Sequence, residues 1–204
     1  LVLLGIVPAI NLNGHYVGAD KVGHFIDQGY DYYESIFVKH ENPQRVIEFK
    51  GQKDEDALNG MAGNAIRSYA DMAADFSGYL FWKQVVGGSN PYFKCNGKKF
   101  IRTSRKFDWA EYVTAAWDEG INCSEYSPSL QRKVDKALKQ RGKSCPISPE
   151  ECQKIYDQLC GFSFISPGCA KYIEPRSYPD SACAKAINAD EFQSQTCFYE
   201  PGFS

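Results

Sequence analysis

The stretch DKVGHFIDQGYDYYE, residues 20–34, is the one around which we expect the fold to be organised. At about 100° per residue, its apolar side chains and those of the following turn fall on one side of a helix. This apolar stripe consists of Val22, Phe25, Ile26, Gly29, Tyr33, Ile36 and Phe37. The opposite side carries Asp20, His24, Asp27, Asp31 and Glu34. The pattern predicts a helix that packs one face against a core and presents a charged face.

The charged face of this helix has three interpretations: a solvated surface, a buried polar network that supports the fold, or a reactive or metal-binding site. A carboxylate beside His24 would raise the pKa of the imidazole and hold one ring tautomer. Glu34, next to an aromatic run, could be an acid of raised pKa in a carboxylate pair of the glycosidase kind. The catalytic candidates are Asp20, His24, Glu34 and Asp71. The pattern identifies no metal and predicts no cofactor.

Length and composition set broad limits on the function. The chain has 204 residues, of which 43% are hydrophobic, so it can bury a sizeable core. Its formal net charge is -2, which gives no overall attraction to nucleic acid or to a membrane. Any electrostatic recognition must therefore be local.

Eight cysteines indicate disulfide bonds. None lies in a C-x-x-C pair and histidines are few, so zinc sites are the weaker interpretation. We expect at least three disulfides and an oxidising compartment, such as a bacterial periplasm or the cell exterior. The pairing stays open, since eight cysteines allow 105 connectivities.

The apolar run from Leu1 to Ile10 is too short to span a bilayer. We expect a buried strand or helical turn there, with any membrane anchor upstream of it. Further along, Val46-Ile47-Glu48-Phe49 has the composition of a short strand.

A second major helix is predicted to begin at Ser68. Ser68-Tyr69-Ala70-Asp71 is a capping box, in which Ser68 accepts from first-turn amides and Asp71 reaches back. Apolar residues along one side allow this helix to pack on the first one. Asp71 or Asp75 would then face the charged side of the first helix.

Three motifs in this half of the chain carry a family resemblance. They are D-K-x-G-H-F from Asp20, G-Y-x-Y-Y from Gly29, and S-x-x-D-x-x-A-x-x-x-G-x-x-F-W from Ser68. Over roughly residues 15–85 the chain resembles an uncharacterised family of bacterial secreted proteins. More loosely, it is similar to VanZ-like membrane proteins and YfiM-like lipoproteins. Asp75 stands where such patterns often place Asn, and the resemblance implies no defined reaction.

A basic β-hairpin is predicted after Gly88. Two short runs flank Asn96-Gly97, a pair that suits the positive backbone angles of a type I′ turn. Lys98, Lys99 and Arg102 are the candidate binding residues, and aromatic residues alternate with them. One interpretation is a solvated hairpin. The other is a contact for an anionic envelope polymer or lipid head groups.

The rest of the chain is predicted to hold three short helices and a loop-rich end. The helices are expected over Trp109 to Glu119, from Ser127-Pro128 to Gly142, and from Ser148-Pro149 to Gly161. The fold class is mainly α, a multi-helix globular body with one small β-hairpin and a disulfide-stapled, loop-rich C-terminal region. We expect a helical core with the hairpin over residues 1–120, and a cysteine-rich extension packed on it over residues 121–204.

These observations favour a non-enzymatic module of a bacterial envelope, either binding or structural, that is periplasmic or secreted. Its partner would be an anionic polymer, peptidoglycan or a lipid head group, and not nucleic acid. The alternative is a hydrolase that acts on cell-wall glycan or a lipid-linked envelope substrate through the carboxylate and histidine candidates. The motifs of serine hydrolases, P-loop and dinucleotide-binding proteins and H-E-x-x-H zinc proteases do not occur.

Overall fold

The computed structural model describes residues 8–56, 65–159 and 164–174. The predicted fold class is confirmed, because these residues form a mainly helical body with short antiparallel strands. The helices are α1 (20–38), α2 (43–56), α3 (Tyr69–Val86), α4 (Pro128–Gln140), α5 (Glu150–Gln158) and α6 (Pro167–Ala170). The strands are β1 (Ala9–Leu12), β2 (His15–Gly18), β3 (Ile66–Arg67), β4 (Phe93–Cys95), β5 (Phe100–Arg102) and β6 (Glu125–Tyr126).

Helix α1 alternates between two helical geometries. α-Helical turns at Asp20–Gly23 and Gly29–Tyr33 are followed by π-helical turns at His24–Gln28 and Glu34–Val38. A π-turn bonds residue i to i+5 and shifts the following side chains around the axis. The predicted apolar stripe is therefore only partly buried, with Ile26 38% exposed.

A close crossing of α1 and α3 forms the centre of the core. A Cβ atom added to Gly78 would lie 2.0 Å from the carbonyl oxygen of Phe25, and one added to Gly29 would lie 2.5 Å from the Cα of Gly78. Only glycine permits this approach of the two backbones. Phe25, Tyr79 and Trp117 are fully buried around the crossing.

Two predicted elements are wrong. Val46–Lys50 is a π-helical turn in α2 rather than a strand, because Asn42 and Pro43 start a helix just before it. The Asn42 side chain accepts from the amide of Arg45 at 2.9 Å, and this cap overrides the strand preference of β-branched residues.

The helix predicted over Trp109 to Glu119 is two separate 3₁₀ turns, Trp109–Glu111 and Ala115–Trp117. Asp108 caps the first turn, because its side chain accepts from the amide of Ala110 at 2.9 Å. Thr114 adopts an extended conformation and caps the second turn, which interrupts the helix. Glu111, at the end of the first turn, pairs with Arg105.

The predicted hairpin is confirmed as β4 and β5, with Phe93 opposite Arg102 and Cys95 opposite Phe100. Its turn differs from type I′, since of the Asn96-Gly97 pair only Gly97 has a positive φ. The Asn96 side chain instead accepts from the amides of Lys98 and Lys99.

A second hairpin, β1 with β2, was not predicted. Its turn residues Asn13 and Gly14 have φ values of 51° and 84°, as a type I′ turn requires. The Asn-Gly signal was therefore present in the sequence. Strand β2 places the fully buried Val17 in the core, whereas Ala9 in β1 is exposed.

The C-terminal half contains the predicted helices α4 and α5, and its disulfides are confirmed. Cys123 bonds to Cys145, and Cys152 bonds to Cys169. Cys95, in the hairpin, is disulfide-bonded as well. The part of the predicted loop-rich end that follows residue 174 lies outside the described residues. These disulfides indicate that the protein folds in an oxidising compartment.

Candidate functional site

The charged face of α1 meets the first two turns of α3. Ser68 caps α3, because its hydroxyl accepts from the amide of Asp71 at 3.2 Å. This cap places Asp71 and Asp75 one helical turn apart. Further along, α1 and α3 cross closely at Gly29 and Gly78. This crossing brings the side chains of Asp71 and Asp75 against Lys21 and His24 of α1.

Lys21 lies at the centre of this site and is only 1% exposed. Its ammonium group is 2.6 Å from Asp71, 2.8 Å from Glu119 and 3.2 Å from Asp20. Burial opposes the charged form, but the three carboxylates outweigh it and raise the pKa of Lys21 well above its usual range. Lys21 is therefore a permanent buried cation.

His24 lies beside Lys21 and contacts both aspartates of α3. Its Nδ1 is 2.8 Å from Asp75, and its Nε2 is 3.5 Å from Asp71. Burial alone would lower the pKa of His24, but the hydrogen bond with Asp75 and the charges of both aspartates raise this pKa to about 9. At neutral pH His24 is therefore an imidazolium, which can donate through both ring nitrogens.

These contacts define the charged network, which consists of Asp20, Lys21, Ser68, His24, Asp71, Asp75 and Glu119. Ser68 belongs to it because its hydroxyl donates to Glu119 at 3.1 Å. Two cations alternate with four carboxylates, so each charge has an opposite charge beside it. An imidazolium whose two nitrogens face carboxylates cannot accept a proton as a general base. Within the described residues no group of three or more His, Cys, Asp or Glu side chains is placed to hold a metal ion.

The structure separates the four predicted catalytic candidates. Asp71 and His24 are in contact, as the hypothesis of a shared site required. Asp20 bonds to Lys21, and the close partner of His24 is Asp75. Glu34 begins the second π-turn of α1, after the π-turn His24–Gln28 and the α-helical turn Gly29–Tyr33, and pairs with Lys39.

The surroundings of Glu34 differ from those expected of an acid of raised pKa. The hydrogen bond and positive charge of Lys39 lower the pKa of Glu34, whereas a general acid of a glycosidase needs a raised pKa. The reason is that Lys39, just past the end of α1, folds back onto the last turn. Desolvation of the carboxylate acts in the opposite direction but is outweighed by Lys39.

Sequence reasoning missed Lys21 and Glu119 as members of the network. Lys21 belongs to the first motif, but a lysine gives no sign in the sequence that it will be buried. Glu119 is 98 residues away and follows the second 3₁₀ turn. Asp75 supplies a further negative charge next to His24.

A cavity of about 560 Å³ lies on the far side of Glu119. Its wall combines apolar side chains of α4, such as Val134 and Leu138, with the disulfide between Cys123 and Cys145. Among the residues that the structure describes, its lining does not include Asp20, His24 or Asp71. The cavity and the charged network thus share only Glu119.

The candidate binding residues Lys98, Lys99 and Arg102 are all exposed on the β4–β5 hairpin. Exposed apolar side chains accompany them, including Phe93 and Phe100 at 38% and Ile101 at 47%.

No helix in the described residues is long and apolar enough to cross a bilayer. Comparison of the chain with protein-family models, curated proteins and solved structures found no match. The family resemblance therefore stays a prediction.

Proposed function

We propose that the protein is an extracytoplasmic, envelope-associated binding module of a bacterium, either periplasmic or secreted. It binds an anionic envelope component through the β4–β5 hairpin. The observation that carries this proposal is the positive charge of the hairpin segment, which contains no acidic residue. Residues 93–107 contain six Lys and Arg and no Asp or Glu, although the chain as a whole has 25 acidic and 23 basic residues.

The exposed hairpin cations are free to bind an external anion. No carboxylate among the described residues forms an ion pair with Lys98, Lys99 or Arg102, in contrast to Arg105, which pairs with Glu111. A cluster of cations without internal partners attracts a polyanion and releases its counterions on binding. The disulfides support the compartment, because such bonds persist outside the reducing cytosol.

The charged network favours a structural role over catalysis. Its cations and carboxylates satisfy one another, and His24 is protonated at neutral pH. A hydrolase that acts on cell-wall glycan or a lipid-linked substrate through Asp20, His24, Glu34 and Asp71 would need a free base or an acid of raised pKa in contact with substrate. His24, protonated between two aspartates, is not a free base, and the lowered pKa of Glu34 does not suit a general acid. Turnover of purified peptidoglycan that is lost in His24→Ala but not in His40→Ala would restore the hydrolase.

Binding of the hairpin to envelope material tests the proposal. Lipid-free cell-wall fragments are mixed with the protein at increasing salt, and the bound fraction is measured after sedimentation. The triple variant Lys98→Ser, Lys99→Ser, Arg102→Ser should bind more weakly and show a flatter salt dependence, since it releases fewer counterions.

The matched control removes three exposed lysines from α4, in the triple variant Lys133→Ser, Lys136→Ser, Lys139→Ser. It changes the net charge by the same amount and should bind like the wild type. Equal weakening in both triple variants would show that net charge alone governs binding, and would overturn the assignment to the hairpin.

A further inference from the structure

We propose that the cavity beside α4 is a binding site for a small amphiphilic molecule that carries a cationic amine on an apolar body. We call it the α4 cavity: the space of about 560 Å³ bounded by α4, β6, the residues around Cys145 and the start of α6. Small-molecule sites commonly have volumes of about 300 to 1,000 Å³. The site lies apart from the β4–β5 hairpin, so this inference does not rest on the proposed function.

Helix α4 turns its apolar side toward the cavity. Leu130, Val134 and Leu138 recur every four residues along one side of the helix and are half-buried, whereas the basic residues on its other side are exposed. A helix packed against a core buries such an apolar stripe, yet α4 has no buried residue. Val134 and Leu138 line the cavity instead. The apolar side of α4 therefore borders space that an apolar ligand can fill.

The two ends of α4 are held beside this space. Cys123 precedes the helix and Cys145 follows it, and their disulfide closes the segment that contains α4. Both cysteines also belong to the cavity wall. At the start of the helix, the amide of Ser127 donates to the carbonyl of Ala65 at 2.8 Å. The separation between α4 and the body is thus maintained by covalent and backbone bonds.

The charged part of the wall is mainly acidic. Glu119, Glu125 and Asp135 line the cavity, and Lys143 is the one basic residue of its described lining. Carboxylates attract a cationic group and accept its hydrogen bonds. This excess of acid favours a positively charged ligand over a negatively charged one.

Two of these carboxylates keep an oxygen atom available for a ligand. Oε1 of Glu119 accepts from Lys21, and Oε2 of Glu125 accepts from Arg67. The second oxygen of each carboxylate accepts no hydrogen bond from the described residues. The side chains of Glu119 and Glu125 are 44% and 36% exposed, so water reaches them. An ammonium group that takes the place of this water can donate to both.

Lys21 does not cancel the negative charge of Glu119 at the cavity wall. Burial and, next, the charge of Glu119 raise the pKa of Tyr126, another lining residue, whereas Lys21 opposes this rise with a smaller effect. The wall therefore remains attractive to a cation although a buried lysine lies behind it.

The two halves of the wall suit the two halves of an amphiphilic amine. The apolar body of the ligand would displace water from Val134 and Leu138, while its ammonium group would face Glu119 and Glu125. An anionic amphiphile with the same body would meet like charges there. The charge of the head group should therefore decide the affinity.

Three probes with the same apolar chain test this inference: octylamine, octanol and octanoate. Each is titrated into the protein at pH 7 below its micelle-forming concentration, and the affinity is measured by calorimetry. We expect octylamine to bind about tenfold or more tightly than octanol, and octanoate to bind most weakly. The hairpin triple variant Lys98→Ser, Lys99→Ser, Arg102→Ser should bind octylamine like the wild type.

A variant that fills the cavity locates the binding site. Leu138→Trp places an indole in the space beside α4 and should lower the affinity for octylamine about tenfold or more. The matched control is Leu130→Trp, since Leu130 is half-buried on the same helix but is not part of the cavity lining. It should bind like the wild type, and melting temperatures establish that both variants are folded.

A second variant tests the role of charge without filling the cavity. Glu125→Gln keeps the size of the side chain but removes its negative charge, so it should weaken octylamine binding about tenfold and leave octanol binding unchanged. Glu41→Gln, the same change at an exposed position between α1 and α2, should alter neither affinity.

The outcomes separate this inference from the proposed function. Equal affinity for all three probes, or unchanged octylamine binding by Glu125→Gln, would overturn the assignment of a cationic ligand. Absence of octylamine binding to the wild type, or unchanged binding by a folded Leu138→Trp, would overturn the site itself. Each of these results would leave the binding of envelope material by the hairpin untouched.

Discussion

The charged network and the β4–β5 hairpin both hold closely spaced charges. The charges of the network are buried and paired, whereas the lysines of the hairpin are exposed to solvent. In the network, Lys21 is buried between carboxylates that come from α1, α3 and the segment after the second 3₁₀ turn. On the hairpin, Lys98 and Lys99 are exposed and no described carboxylate approaches them. The difference shows that a lysine becomes part of the architecture when the fold supplies its counter-charge, and stays available for a partner when it does not.

Removing the central cation should have the largest effect on stability. Lys21→Met leaves Asp71 partly buried without its closest partner, and loss of one member of a buried ion pair costs about 3 to 5 kcal/mol. The free energy of unfolding, measured with urea, should fall by that order. Lys98→Met on the hairpin is the control and should unfold at the wild-type urea concentration. Equal midpoints for both variants would mean that the network does not support the fold.

The pH dependence of stability should reveal His24. Folding raises the pKa of this residue from an ordinary value of about 6.5 to about 9. The stabilisation is therefore complete below pH 6.5 and is lost as the pH rises through 9. We expect the free energy of unfolding to drop by about 2 to 3 kcal/mol over this range.

The variant His24→Gln should flatten this part of the pH profile, since glutamine does not titrate. His40→Gln, the same change at an exposed position, should leave the profile as it is in the wild type. A profile that is identical in His24→Gln and in the wild type would contradict the contacts of His24 with Asp71 and Asp75.

The glycine crossing that joins α1 to α3 can be tested with a single methyl group. Gly78→Ala would place a Cβ against the backbone of Phe25, and overpacking of this kind costs about 1 to 3 kcal/mol. Gly23→Ala is the control, because a Cβ there meets nothing within 4 Å and alanine is the better helix former by about 0.5 to 1 kcal/mol. Thermal unfolding should shift down for the first variant and up for the second.

The smallest effect on stability is expected at the hairpin. The triple variant Lys98→Ser, Lys99→Ser, Arg102→Ser removes exposed side chains that pair with no carboxylate among the described residues, so its melting temperature should match that of the wild type. The same variant should lose salt-dependent binding to envelope material. A clear loss of stability would mean that these cations belong to the architecture, as Lys21 does.

Much of the helical framework could be predicted from local signals. Ser68 capped its helix as expected, and Ser127-Pro128 and Ser148-Pro149 marked the starts of α4 and α5 correctly, since these signals act within one turn. The strand predicted at Val46 failed because a cap four residues earlier, at Asn42, had already started a helix. The π-turns of α1 were also not predictable from an α-helical period, and they moved Ile26 out of the core.

The candidate site was only partly predictable. The spacing of Asp20 and His24 indicated that charge would gather on one helical face, and the aspartates of α3 were expected nearby. Which side chains pair was beyond the sequence, because Glu119 reaches Lys21 across 98 positions and the glycine crossing selects Asp75 over Asp20 as the partner of His24.

The sequence by itself determined the helix caps, the basic hairpin and, through its cysteines, the oxidising compartment. Each of these depends on residues that act locally or on composition alone. The tertiary structure decided that Lys21 is buried, that His24 is protonated at neutral pH, and that no carboxylate in the described part of the chain pairs with Lys98, Lys99 or Arg102. The physical reason is that the pKa of an ionisable side chain, and the free energy that its burial costs, depend on the groups around it in space. Helix packing brings those groups together from distant parts of the chain.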